Sequence, residues 1–148
     1  MPIEMNELFG IAGKVAVITG AGGVLGGNIA KHFMRQGAKV VAVDIRQEQL
    51  DKRVSELKQY GNEVIGVVGD VLDVASLGKL AGQVLSQWGK IDILLNIAGG
   101  NMPGATLEPE QHFYDMDIAC WEKVTGLNMN GTVYPLSLIH ISEPTRPY

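Results

Sequence analysis

Residues 14–44 read KVAVITGAGGVLGGNIAKHFMRQGAKVVAVD, and this stretch decides the fold. It opens and closes on short runs rich in Val and Ile, residues 14–19 and 39–44, that show little alternation. Strands buried on both faces of a parallel sheet read this way. Between them Leu25, Ile29 and Phe33 recur every four residues, the spacing of one helix face. Gly37 follows, and glycine tolerates the left-handed backbone that closes a helix. Strand, helix, glycine and strand make one crossover unit between parallel strands.

The same unit continues along the chain. Residues 63–68 (EVIGVV) and 91–96 (IDILLN) are two more apolar runs. Leu50, Val54 and Leu57 supply one intervening helical face; Leu77, Leu80, Val84 and Trp88 supply the next, with Gly61 and Gly89 as their stops. The order β-α-β-α-β-α-β predicts an α/β fold with a doubly wound parallel sheet of the Rossmann type, ending after its fourth strand and one further helix. Residues 97–117 lapse into Gly, Asn, Pro and acidic residues beyond a strand's carboxyl end, where open α/β sheets bind ligands. A helix is expected to start at Asp117 as N-cap, with Trp121, Val124 and Asn128 on nearly one face.

The totals narrow the functional classes. A chain of 148 residues has the length of one domain, and 46% hydrophobic residues are enough to bury a core. A net charge of −4 disfavours a nucleic-acid partner, which selects for a basic face. The single cysteine, Cys120, allows no internal disulfide and suits a reducing compartment. No basic region followed by an apolar run opens the sequence, and no stretch approaches the ~20 apolar residues of a membrane helix. A cytoplasmic protein without a membrane partner is the expectation. His32, His112 and His140 lack metal-ligand spacing, so no metal site is expected. Cys120 reads as a small packed residue, Trp88 and Trp121 as helix anchors to a core, and Asp115 and Asp117 as turn and cap residues.

The chemistry-bearing positions fall at strand ends. The turn after the first strand runs from Thr19 to Gly27, with Thr19, Gly20, Gly23, Leu25 and Gly26 as candidate cofactor-binding residues. Glycines there let the backbone approach a pyrophosphate while the next helix aims unpaired N–H groups at its charge. A purely steric role in a tight turn is the alternative. Asp44 ends the second strand, 18 residues after Gly26, where a carboxylate can accept hydrogen bonds from the adenosine ribose. It would also repel a 2′-phosphate by roughly 4 kcal/mol at ~4 Å and an effective dielectric of about 20, favouring NAD over NADP. Arg46 stands close enough to offset part of that repulsion, and a solvated capping role for Asp44 is the other reading.

These positions together resemble the short-chain dehydrogenase/reductase family. Thr19, Gly20 and Gly26 are similar to its T-G-x-x-x-G-x-G turn, with Val24 where the middle glycine is usual. Asp70-Val71 resembles its adenine-contacting pair. Asn96-Ile97-Ala98-Gly99 resembles N-N-A-G, with Ile97 in place of the second Asn; Asn96, Ala98 and Gly99 would lie beneath the cofactor. Asp117, Trp121, Val124 and Asn128 match D-x-x-x-W-x-x-V-x-x-x-N, whose last residue is catalytic and holds a water in a proton relay. The resemblance spans residues 10–135 and implies an NAD-dependent oxidoreductase that is commonly oligomeric. Within the family, TGAGGVLGG with Ala98 to Asn101 (AGGN) is most similar to sugar-acid oxidoreductases of the D-mannonate/fructuronate kind, implying a small sugar acid or polyol as substrate. A non-catalytic dinucleotide-binding module is the alternative, and an interaction protein reusing the fold is a third; Asn128 favours the enzyme.

The family's chemistry also uses a Ser and a Tyr-x-x-x-Lys pair. Neither Tyr134 nor Tyr148 has a lysine four residues on, so this chain is expected to be inactive by itself. Residues 136–146, LSLIHISEPTR, are the in-frame translation of a transposase-end adapter used in tagmentation libraries. Residues 1–135 are therefore read as the amino-terminal part of a dinucleotide-binding domain and residues 136–148 as a non-native tail. The fourth strand, interior in the family's sheet, would then expose an unpaired edge and make the isolated chain poorly soluble.

Overall fold

A computed structural model gives the fold and describes residues 9–61 and 63–138. Its centre is a four-stranded parallel sheet in the order β3-β2-β1-β4: β1 is Val15–Thr19, β2 Lys39–Asp44, β3 Val64–Val68 and β4 Ile93–Asn96. Each strand matches an apolar run of the sequence to within two residues. Helices α1 (Val24–Arg35), α2 (Gln47–Leu57) and α3 (Val74–Trp88) fill the three crossovers. The Rossmann-type doubly wound arrangement is the one the sequence predicts.

Both faces of the sheet are covered, which explains the lack of alternation in β1 and β2. Val15, Val17, Val41 and Val43 point to one face and pack with Leu77, Leu80 and Val84 of α3. Ile18, Val40 and Ala42 point to the other and pack with Ala30 and Met34 of α1 and Leu50 and Leu57 of α2. Gly37 and Gly89 take φ of 79° and 73° after α1 and α3, so the two stop signals act through the left-handed backbone. Gly61 also has positive φ, 153°, but after a short 3-10 turn, Lys58–Tyr60, that prolongs α2.

Two expectations are corrected. The buried face of α1 is Gly26, Gly27, Ala30 and Met34, with Ile29 and Phe33 only partly buried; Leu25 is 63% exposed. The first turn of α1 lies so close to the preceding loop that only glycine fits, and Leu25 is left at the rim of a cleft. Trp121 does not anchor a core: it is 47% exposed on α4 (Ile118–Thr125), none of whose residues is buried. Trp88 is half-buried against the α3 cluster, as expected.

Asp117 caps α4 through bonds from the Ala119 and Cys120 amides at 2.9 and 3.3 Å. After α4 the chain takes a π-helical turn, Gly126–Asn130, then a helical turn, Gly131–Val133. Leu138, the third residue of the expected tail, is fully buried against the α3 face, while Leu136 is exposed. The remainder of that tail, with His140, Pro144 and Tyr148, lies outside the described residues.

Candidate functional site

A cleft of about 460 Å³ opens at the carboxyl ends of the strands. It straddles the point where the chain, having stepped outward from β1 to β3, returns to place β4 on the opposite side of β1, the switch point at which such sheets bind ligands. Four strand-end loops wall it: Gly20 to Gly26 after β1, Asp44 to Arg46 after β2, Gly69 to Val71 after β3, and Ile97 to Gly99 after β4. Leu127 of the π-helical turn closes one side.

The β1–α1 turn is built by steric exclusion. Gly20 has φ 67°, and a Cβ there would sit 2.8 Å from the Ala98 amide nitrogen and 2.9 Å from its Cα. A Cβ on Gly26 would lie 2.5 Å from the Gly20 carbonyl oxygen. These glycines let the first turn of α1 and the end of β4 converge on one loop. Helix α1 begins at Gly23 with no side-chain cap and no acidic residue in its first turn. Its exposed N–H groups and positive dipole end are therefore left for an anion.

Thr19 fastens the loop from below. Its hydroxyl accepts from the Ile97 and Ala98 amides, both at 3.1 Å, and donates to the Leu95 carbonyl at 3.4 Å. Buried beneath the turn, Thr19 ties β4 to β1 and does not line the cleft.

Asp44 is 6% exposed and faces the cleft rim. Its Oδ2 accepts from the Gly22 amide at 3.0 Å, and its Oδ1 accepts from the Arg46 amide at 3.1 Å and Nε at 3.4 Å. A carboxylate offers about four acceptor sites, so capacity is left for a hydroxyl of the ligand. Arg46, flagged in the sequence for its charge, is thus a direct partner of Asp44.

Asp70 and Val71 occupy the cleft wall after β3, where the Asp70 carboxylate accepts from the Leu72 amide at 2.8 Å. Ala98 and Gly99 line the wall after β4. Asn96 does not: its amide donates to the Thr132 carbonyl at 3.3 Å, and its Oδ1 is buried without a partner among the described residues.

Asn128 clamps the loop beyond β4. Its Oδ1 accepts from the Gly100 amide and its Nδ2 donates to the Gly100 carbonyl, both at 2.9 Å. A Cβ on Gly99 would stand 2.7 Å from that Oδ1. Both side-chain polar atoms of Asn128 are therefore engaged on the Gly100 backbone. Cys120 is a hydrogen-bond partner of Asp117, Sγ to Oδ2 at 3.2 Å, which holds the thiol above its usual pKa and the carboxylate below its own. No group of three or more candidate metal ligands exists among the described residues.

Sequence reasoning singled out the glycine turn, Asp44, Asp70, Val71, Ala98 and Gly99, all of which meet at the cleft. It missed Val43, Ile45, Gly69 and Leu127. Gly69 directly precedes the D-V pair and carried a readable signal. The other three look like ordinary core or helix residues and carried none.

A glycine turn opening a helix, a carboxylate at the end of β2 and a cleft at the switch point define a dinucleotide-binding α/β domain. The chain belongs to the short chain dehydrogenase family, whose sequence pattern matches residues 14–140. It is 37% identical over 139 residues to the uncharacterized oxidoreductase UxuB of Bacillus subtilis, covering 88% of this chain and 49% of that protein. A solved structure of a candidate D-mannonate oxidoreductase from Haemophilus influenzae with bound NAD matches with TM-score 0.82 and 32% identity, over 88% of this chain and 50% of that one. A short-chain dehydrogenase/reductase from Burkholderia phymatum in complex with NAD matches with TM-score 0.74 and 31% identity, over 90% and 45%. The chain thus spans about half the length of the relatives it matches. No helix among the described residues is long and apolar enough to cross a membrane.

Proposed function

We propose that the protein carrying this chain is an NAD-dependent oxidoreductase that interconverts a secondary alcohol and a ketone on a small sugar acid. In this reading the described residues supply the cofactor-binding half of the site. The observation that carries it is Asp44: a nearly buried carboxylate on the cleft rim, held by the Gly22 amide and Arg46 with acceptor capacity to spare. It suits a ribose hydroxyl and opposes a 2′-phosphate. The α1 amino terminus would face the diphosphate, Asp70 and Val71 the adenine, and Ala98 and Gly99 the floor beneath the nicotinamide half. NAD bound there supplies the hydride acceptor.

Asn128 would act by shape, fixing the Gly99–Gly100 backbone under the reacting end of the cofactor. The sugar-acid assignment draws support from the likeness to the candidate D-mannonate oxidoreductase. The intact protein is expected to work as a homo-oligomer in the cytoplasm. The test is absorbance at the reduced-nicotinamide band, with the intact protein, NAD, and either D-mannonate or a neutral polyol of equal length. Faster reduction of NAD with the acid supports the assignment. Turnover with the polyol alone would leave the oxidoreductase and remove the sugar acid.

A further inference from the structure

Arg53 sits on α2, outside the cleft, yet its guanidinium is packed against the turn that opens α1. Its side chain is 23% exposed, and its Nη1 donates to Glu56 Oε2 at 2.7 Å. Its Nη2 donates to the Gly23 carbonyl at 3.3 Å, while its Nε is buried with no partner among the described residues. A Cβ on Gly27 would collide with the Nε and Cζ of this guanidinium. Gly27 lies inside α1, where glycine is the poorest helix former after proline. The sequence tolerates that weakness at the one place where Arg53 needs room.

We propose that Arg53 is the positioning residue of the diphosphate-facing turn, holding the Gly23 peptide so that the Val24 N–H points into the cleft. The peptide unit is planar and trans, so its carbonyl and N–H point in opposite directions. Fixing the Gly23 carbonyl toward α2 therefore aims the Val24 amide away from α2, on the side where Val24 lines the cleft. No side-chain cap does this work at the start of α1. The same carbonyl accepts the first intrahelical bond, from the Gly27 amide at 3.0 Å, and the two donors together lock its direction. Glu56 balances the charge of Arg53, so the influence on the ligand comes through orientation more than long-range attraction. The inference rests on the reading of the cleft as a dinucleotide site.

The test compares the protein with its Arg53→Met and Arg53→Lys variants, titrated with NADH, ADP and adenosine, with melting temperatures recorded alongside. Arg53→Met should weaken NADH and ADP about tenfold, the scale of one hydrogen bond from a charged donor, and leave adenosine within about twofold. Arg53→Lys, which keeps the charge and much of the stem, should recover part of the loss and serves if the Met variant does not fold. Gly27→Ala should weaken NADH in the parent and add no further loss to Arg53→Met. Equal loss of all three ligands would mark Arg53 as merely structural, and unchanged NADH binding would discard its role altogether. If the unaltered protein binds no NADH, the cofactor reading itself fails and takes this inference with it.

Discussion

Gly20 offers the sharpest quantitative test of how the turn is built. Substituting Ala imposes two separable penalties. The first is conformational: at φ 67° an L-residue pays about 1–2 kcal/mol for left-handed backbone. The second is steric, because the new Cβ meets Ala98 N at 2.8 Å, Ala98 Cα at 2.9 Å and Ile97 C at 3.0 Å. All three are backbone atoms at the end of β4, pinned to Thr19 by two hydrogen bonds, so they cannot rotate aside. Overpacking of this kind costs about 1–3 kcal/mol. The sum is about 2–5 kcal/mol. Gly13 is the internal control: its φ is 73°, but a Cβ there has nothing within 4 Å. Gly13→Ala should therefore pay only the conformational part, and any entropy lost by the unfolded chain is common to both variants. Urea unfolding of both variants beside the parent measures the difference, expected at about 1–3 kcal/mol in favour of Gly13→Ala. Equal destabilisation, within about 0.5 kcal/mol, would refute the claim that β4 approaches the turn this closely.

Other outcomes can be checked with equal directness. Asp92, just before β4, accepts from the Val15 amide and from Lys90 Nζ, both at 2.8 Å. Partial burial raises its pKa, but those two bonds with the charges of Lys90 and Lys14 outweigh it and hold the carboxyl below the ordinary range. A carboxyl whose pKa falls on folding stabilises above its unfolded value of about 3.9, and that contribution is lost as pH drops through the folded value. Asp92→Asn should flatten this acid loss in unfolding curves taken from pH ~5 downward; an unchanged slope would count against the Asp92 cluster. Asn128→Ala removes two exposed bonds to Gly100 and should cost about 1 kcal/mol while speeding amide exchange at Gly100. Unaltered exchange there would dismiss the clamp. An amplicon of the source DNA read across codon 135 should continue into a serine-bearing strand and a Tyr-x-x-x-Lys pair; a genomic LSLIHISEPTRPY followed by a stop would overturn the adapter reading.

The sequence made some features legible because a single residue type enforces them. Gly37 and Gly89 mark helix ends since little else adopts their φ, and the apolar runs of β1 and β2 mark strands covered on both faces. Asp44 could be placed because its distance from the glycine turn is set by the length of α1 and β2. Other features depend on contacts between distant segments. Leu25 keeps the four-residue rhythm of α1, but the approach of that helix to Gly20 turns it outward. Trp121 has the composition of an anchor, yet it lies on a helix that buries none of its residues. The double bond of Asn128 to Gly100 depends on a loop path that spacing does not encode. The place of Arg53 against Gly23 and Gly27 likewise depends on the approach of α2 to α1, which spacing does not encode.

On this reading the cleft takes a dinucleotide, and Asp44 selects the form without a 2′-phosphate. Fluorescence titration of the protein with NADH and NADPH tests it most directly. Saturable NADH binding at least about tenfold tighter than NADPH is expected, a floor well inside the ~4 kcal/mol of charge repulsion because Arg46 offsets part of it. Asp44→Asn should narrow that gap. Tighter binding of NADPH, or no binding of either, would contradict it.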